Sequence, residues 1–174
     1  MGELERLGVL QRDWDIIIFD VLGDVVCGGF AMPMRKHFTD LVYVVTSSDF
    51  MSLYAANNIL CGVERYSTSE PMLGGIIENR VDSARGRSEA ELFCARTSSP
   101  FLGGVPEDAE IGRADYLALP VIDTAPESAG ARSLMQIAND LVSRREGVMP
   151  RPLSPDELDY FRIEMARPKE QTDA

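Results

Sequence analysis

Four short runs of consecutive apolar residues punctuate the chain, and apolar positions recur with helical spacing between them. Asp15 to Asp20 reads DIIIFD, Leu41 to Thr46 LVYVVT, Met72 to Ile77 MLGGII and Phe101 to Val105 FLGGV. Unbroken apolar runs of this length, without polar alternation, predict strands of a parallel sheet covered on both faces. Leu53, Ala56, Leu60 and Val63 fall on one helical face, as do Leu134, Ile137, Ala138 and Leu141. Ser88 to Arg96 predicts a shorter helix. At Ser154-Pro155-Asp156-Glu157 a capping serine, a first-turn proline and a glutamate three residues on predict a helix start, with Leu158, Phe161 and Met165 on its inner face. Pro168 should stop that helix, leaving Lys169 to Ala174 as a polar tail.

Strand alternating with helix predicts a doubly wound α/β fold. Ligands of such folds sit beyond the carboxyl ends of the strands. Asp20, Asn79 and the Pro106 to Asp108 stretch stand at three such ends.

Composition narrows the chemistry. The 174 residues suit one domain, and 45% hydrophobic with 26% charged residues is ordinary for a globular chain. A net charge of −11 argues against nucleic acid, since phosphate contacts need clustered Lys and Arg. No run approaches the roughly 20 apolar residues of a membrane span. The start, Met1-Gly2-Glu3-Leu4, does not read as a secretory signal, and three cysteines do not read as a disulfide framework. The expected setting is the reducing cytoplasm.

The first run continues as FDVLGDVVCGGFAMP, Phe19 to Pro33. An aspartate at a strand tip followed by Gly23 is the pattern of a loop that reaches a magnesium-bound water beside a nucleotide phosphate. Asp24 lies on the same loop and could orient an attacking water. Cys27, with Gly28 and Gly29 leaving its sulfur uncrowded, could ligate a metal cluster. The string equally suits a capping aspartate and a buried structural cysteine, and spacing alone leaves both open.

The whole string DVLGDVVCGGFAMP resembles the switch II and cluster-ligand segment of the nitrogenase iron protein family. That family includes the iron proteins of the light-independent protochlorophyllide and chlorophyllide reductases. VVTSSDFMSLYAANNI (Val44 to Ile59), LGGIIENR (Leu73 to Arg80), GGVPEDAEIGRA (Gly103 to Ala114) and MPRPLSPDEL (Met149 to Leu158) resemble further family segments in the same order. Asn79-Arg80 is closer to the protochlorophyllide reductase branch, and Ala31-Met32-Pro33 to nitrogenase.

The resemblance implies a P-loop NTPase-like, mostly parallel sheet, with residues 1–166 as the carboxyl-terminal part of the ATPase domain and 167–174 as a tail. It implies Asp20 at Mg-ATP, Asp24 orienting water with Gly23 beside it, and Cys27 as one ligand of a 4Fe-4S cluster shared across a homodimer. It places Asn79, Arg80 and Pro106 at the adenine. It implies electron donation to a nitrogenase-like catalytic component.

The departures are as specific. No GxxxxGKS/T loop occurs in the 174 residues, and no second cysteine stands where the family has its other ligand. The fold is therefore expected to be truncated at its amino-terminal side, with the missing half supplied by a separate chain or lost. Alone, the chain is expected to bind neither Mg-ATP nor the cluster. The alternative function is a non-enzymatic, truncated or decayed module. Glu107 replaces a family base, Cys61 and Cys94 are expected to be buried and structural, His37 to be solvated, and Trp14 to pack.

Overall fold

The computed structural model describes residues 3, 6–21, 39–67, 70–82 and 89–166. Three strands form one parallel sheet in the order β1 (Val42–Thr46), β2 (Leu73–Val81), β3 (Phe101–Pro106). Six α-helices accompany them among the described residues: α1 (Phe50–Tyr66), α2 (Glu89–Arg96), α3 (Ala109–Tyr116), α4 (Val121–Thr124), α5 (Ala129–Ser143) and α6 (Pro155–Met165). Spatial order follows chain order, and each parallel pair is joined through a helix, α1 and then α2. The fold class is α/β, as the alternating pattern indicates.

Side chains leave the sheet on both faces, and each face has its own cover. Val44, Leu73 and Ile76 pack with Leu53, Leu60 and Val63 of α1, Ala90 and Phe93 of α2, and Leu158 and Phe161 of α6. The Phe93 and Phe161 rings sit 6.0 Å apart in a tilted pair. On the opposite face Ile77, Leu102 and Val105 meet Ile137 of α5, with Ile111 of α3 against them. This second cover reaches Tyr43 of β1 but leaves Val45 61% exposed.

Close approach between strands depends on glycine. Gly75 has φ +152°, and a β-carbon there would lie 2.9 Å from the Pro100 carbonyl oxygen. The Tyr43 ring lies over Gly74, where a β-carbon would come within 2.4 Å of it.

Helix starts follow their capping residues. Asp49 caps α1, accepting from Ser52 N–H at 3.0 Å. Ser154 and Glu157 form the reciprocal capping box that the sequence predicts for α6, with Ser154 N–H donating to Glu157 Oε2 at 2.9 Å. Asn57, buried on α1, ties in the segment before α6. Its Nδ2 donates to the Leu153 carbonyl at 2.9 Å and its Oδ1 accepts from Leu153 N–H at 2.8 Å.

The first predicted strand is not one. Asp15 to Asp20 runs without helix or strand, and Ile16, Ile17 and Ile18 are exposed. A strand is held by its ladder, and among the described residues none lies alongside this run. The sheet ends at β1, which pairs only with β2 among the described residues. Three smaller expectations also change. Trp14 is 52% exposed, its indole N–H donating to the Val9 carbonyl at 2.9 Å. Cys61 is exposed rather than buried, because it sits on the outer side of α1; Cys94 is buried as expected. The strand expected over Met72 to Ile77, β2, runs on to Val81.

Candidate functional site

The carboxyl ends of β2 and β3 bring together three of the residues the sequence singles out. Asn79 is in register with Val105, and Val81 with Pro106. The register shifts between Asn79 and Val81, so Arg80 is an extra residue in the ladder. Arg80 takes φ 59°, a left-handed conformation that costs a non-glycine residue about 1–2 kcal/mol. Asn79 supports it: its Oδ1 accepts from Arg80 N–H at 3.0 Å. Across the gap, Glu107 N–H donates to the Val81 carbonyl at 3.2 Å, fixing the residue after β3 against the end of β2. The Arg80 guanidinium then lies 3.7 Å from the Glu107 carboxylate, with both side chains 73% exposed. Such a solvated pair contributes little to stability.

Asp108 anchors this end of the sheet to two helices. Its carboxylate accepts from Glu110 N–H at 2.9 Å, at the start of α3, and from Gly130 N–H at 2.8 Å, near the start of α5. These backbone donors, Gly130 first, hold its carboxyl below the ordinary range.

Just inside this end, Glu78 is 3% exposed and accepts a hydrogen bond from the Ser48 hydroxyl. Ser48 Oγ in turn accepts from Ala90 N–H at 3.3 Å, joining the loop before α1 to α2. Glu78, Val81, Glu91, Gly104, Pro106 and Ser133 line an open recess of about 290 Å³. The buried role of Glu78 was missed in the sequence, although an acid inside the apolar run LGGIIENR was the visible signal.

Asp20 is exposed and belongs to no strand, so it does not stand at a strand tip as expected. No hydrogen bond or ion pair among the described residues joins it to β2 or β3. Gly23, Asp24, Cys27 and His37 lie outside the described residues.

The described cysteines do not suit a metal cluster. Burial, with Glu78 and Glu91 nearby, pushes the Cys94 thiol up to about 12, so it stays protonated at neutral pH. Partial desolvation and the Glu64 charge also raise the Cys61 thiol. Among the described residues no group of three or more His, Cys, Asp or Glu side chains is placed to hold a metal ion. No described helix is long and apolar enough to cross a membrane.

Comparison with known proteins fits the segments quoted above. "Nitrogenase iron protein 2" of Methanothermobacter thermautotrophicus is 43% identical over 165 residues, covering 92% of this chain and 60% of that protein. "Nitrogenase iron protein 2" of Methanobacterium ivanovii is 41% identical over 165 residues, with the same two coverages of 92% and 60%. The chain thus spans about 60% of the length of these curated relatives. Among solved structures, the Pyrococcus furiosus cell division ATPase MinD superposes with a TM-score of 0.49 at 21% identity, over 59% of this chain and 42% of that one. The family model of "4Fe-4S iron sulfur cluster binding proteins, NifH/frxC family" matches residues 1–167, and the chain belongs to that family.

Proposed function

We propose that this chain is part of an ATP-dependent iron–sulfur reductase component of the nitrogenase iron protein type, which donates electrons to a catalytic partner. The observation that carries this reading is the family match over residues 1–167. The pairing of the β2 and β3 ends supports it, since it brings Asn79, Arg80 and Pro106 to one end of the sheet. In this reading Asp20, Gly23 and Asp24 form the loop that faces the nucleotide phosphates and a bound magnesium. Asp24 orients the attacking water by accepting a hydrogen bond from it. Cys27 is the thiolate the chain offers to a 4Fe-4S cluster within a homodimer. Among the described cysteines neither Cys61 nor Cys94 serves as a substitute.

The test is reconstitution. The chain would be mixed anaerobically, with iron and sulfide, with a polypeptide carrying a phosphate loop and a second cysteine. A cluster with broad visible absorption should form, and Cys27→Ala should abolish it. Formation that survives Cys27→Ala would remove Cys27 from the ligand set.

A second reading is a module without ATP or cluster binding of its own. It is favoured by the lack of any GxxxxGKS/T sequence in the 174 residues and by the run ahead of Asp20, which pairs with no strand among the described residues. Without backbone N–H donors and a lysine around the phosphates, Mg-ATP loses most of its partners. Calorimetric titration of the isolated chain should then show no micromolar ATP binding, and such binding would rule this reading out.

A further inference from the structure

We infer that the recess at the amino end of β3 binds a free α-amino acid as its zwitterion. Arg144 and the Tyr43 hydroxyl take the carboxylate, and Asp140 with the end of α5 takes the ammonium group. Phe101 and Leu102 begin β3, so this recess lies at the opposite end of the strand from Pro106 and does not depend on the nucleotide reading.

Phe101, Leu102, Asp140, Ser143 and Arg144 line an open recess of about 300 Å³, at the small end of the range for ligand sites. Asp140 and Arg144 stand four residues apart at the end of α5, a spacing at which opposite charges pair readily. Among the described residues they form no ion pair with each other or with any other side chain. Arg144 caps the helix instead, its N–H donating to the Asp140 carbonyl at 3.1 Å. One turn of helix thus turns a negative and a positive side chain towards the same recess without either neutralising the other.

Tyr43 adds a donor that has no other use. Its ring reaches from β1 over Gly74 of β2, with Cζ, the atom bearing the hydroxyl, 2.6 Å from where a β-carbon at Gly74 would stand. It packs against the cluster that holds Leu102 and Ile137. The hydroxyl is buried and has no hydrogen-bond partner among the described residues, which is costly unless a ligand or water completes it. Burial raises the phenol and the nearby Arg144 charge opposes this, so at neutral pH the hydroxyl keeps its proton and can donate.

The charges exclude the simpler ligands. A bare anion at Arg144 also meets Asp140 and the partial negative charge at the carboxyl end of α5. A bare amine at Asp140 meets the Arg144 guanidinium. A zwitterion gives each group its complement, and Phe101 and Leu102 offer an apolar wall to its side chain.

The test is titration of the ¹⁵N-labelled chain with L-leucine, 4-methylpentanoate and 3-methylbutylamine, which share one branched side chain and differ in their charges. Leucine should shift the amides of Leu102, Ser143 and Arg144 at millimolar concentration, and each singly charged analogue should bind about tenfold weaker. Arg144→Gln and Asp140→Asn, both at the helix surface, should each weaken leucine about tenfold. Tyr43→Phe keeps the ring over Gly74 and should weaken it about threefold. An analogue that binds as tightly as leucine, an affinity unchanged by any one of the three substitutions, or amides that do not move at 10 mM leucine, roughly the weakest binding titration detects, would overturn the inference.

Discussion

Val42–Thr46 and Ile16 to Phe19 are both short, apolar and rich in β-branched residues, yet Val44 is 2% exposed and Ile18 is 82% exposed. Local sequence does not separate them. What separates them is company. β1 has β2 on one side and α1 over one face, and Val44 drops into the cluster that those elements close. Ile16 to Phe19 has no ladder among the described residues, so its β propensity has nothing to act through. A parallel strand is thus a statement about neighbours far along the chain as much as about its own side chains.

The largest expected contrast comes from truncating one side chain in each region. Phe93→Ala removes a fully buried ring that packs on Phe161, and should cost about 3–5 kcal/mol in urea unfolding. Ile18→Ala should change stability by no more than about 0.5 kcal/mol. A comparable loss from Ile18→Ala would mean that the leading run is docked in solution, and the comparison would fail.

A smaller effect sharpens what docking means. Asn57→Ala leaves the buried N–H and carbonyl of Leu153 without partners, at a cost of about 2–3 kcal/mol. Hydrogen exchange at the Leu153 amide should speed up with it. Unchanged protection there would show that the last helix is held by its apolar contacts alone.

The smallest effect tests the start of α1. Asp49→Ala should cost about 1 kcal/mol at pH 7. The hydroxyls of Ser47 and Ser52, with Ser52 N–H, hold the Asp49 carboxyl down from 3.8 to about 2. A lowered value in the folded chain means the contribution is full above the ordinary carboxyl range and disappears as the pH falls through about 2. The gap between Asp49→Ala and the unaltered chain, read from urea midpoints, should therefore close between about pH 4 and pH 2. A gap that stays constant over that range would show that the carboxylate charge is not what caps the helix.

Much of the fold was legible because its signals are local. The Leu53, Ala56, Leu60, Val63 stripe, the Ser154 capping box and the glycine-containing runs of β2 and β3 each carry their own reason for forming. Asn79 and Pro106 were legible as neighbours because strand ends in a parallel sheet are adjacent. The left-handed turn at Arg80 was not, since it depends on how β2 and β3 slip in register, and the burial of Glu78 showed only as an acid within an apolar run. α3 and α4, which with α5 close a small cluster of Ala114, Val121 and Ala131, were not delimited either, because helices this short give weak periodicity. DIIIFD misled for the opposite reason: its pattern was strong, but among the described residues no strand lies alongside it.

The Asn57–Leu153 link joins positions 96 residues apart, and the core it closes also needs Leu158 and Phe161. During synthesis, β1, α1, β2, α2 and β3 can assemble in the order in which they leave the ribosome. The apolar face formed by Leu53, Leu60 and Phe93 still lacks its cover until the last helix has emerged. A nascent chain arrested between β3 and that helix would present this face to chaperones and to other chains. Its hazard is therefore one of timing during translation, and it ends when Phe161 docks.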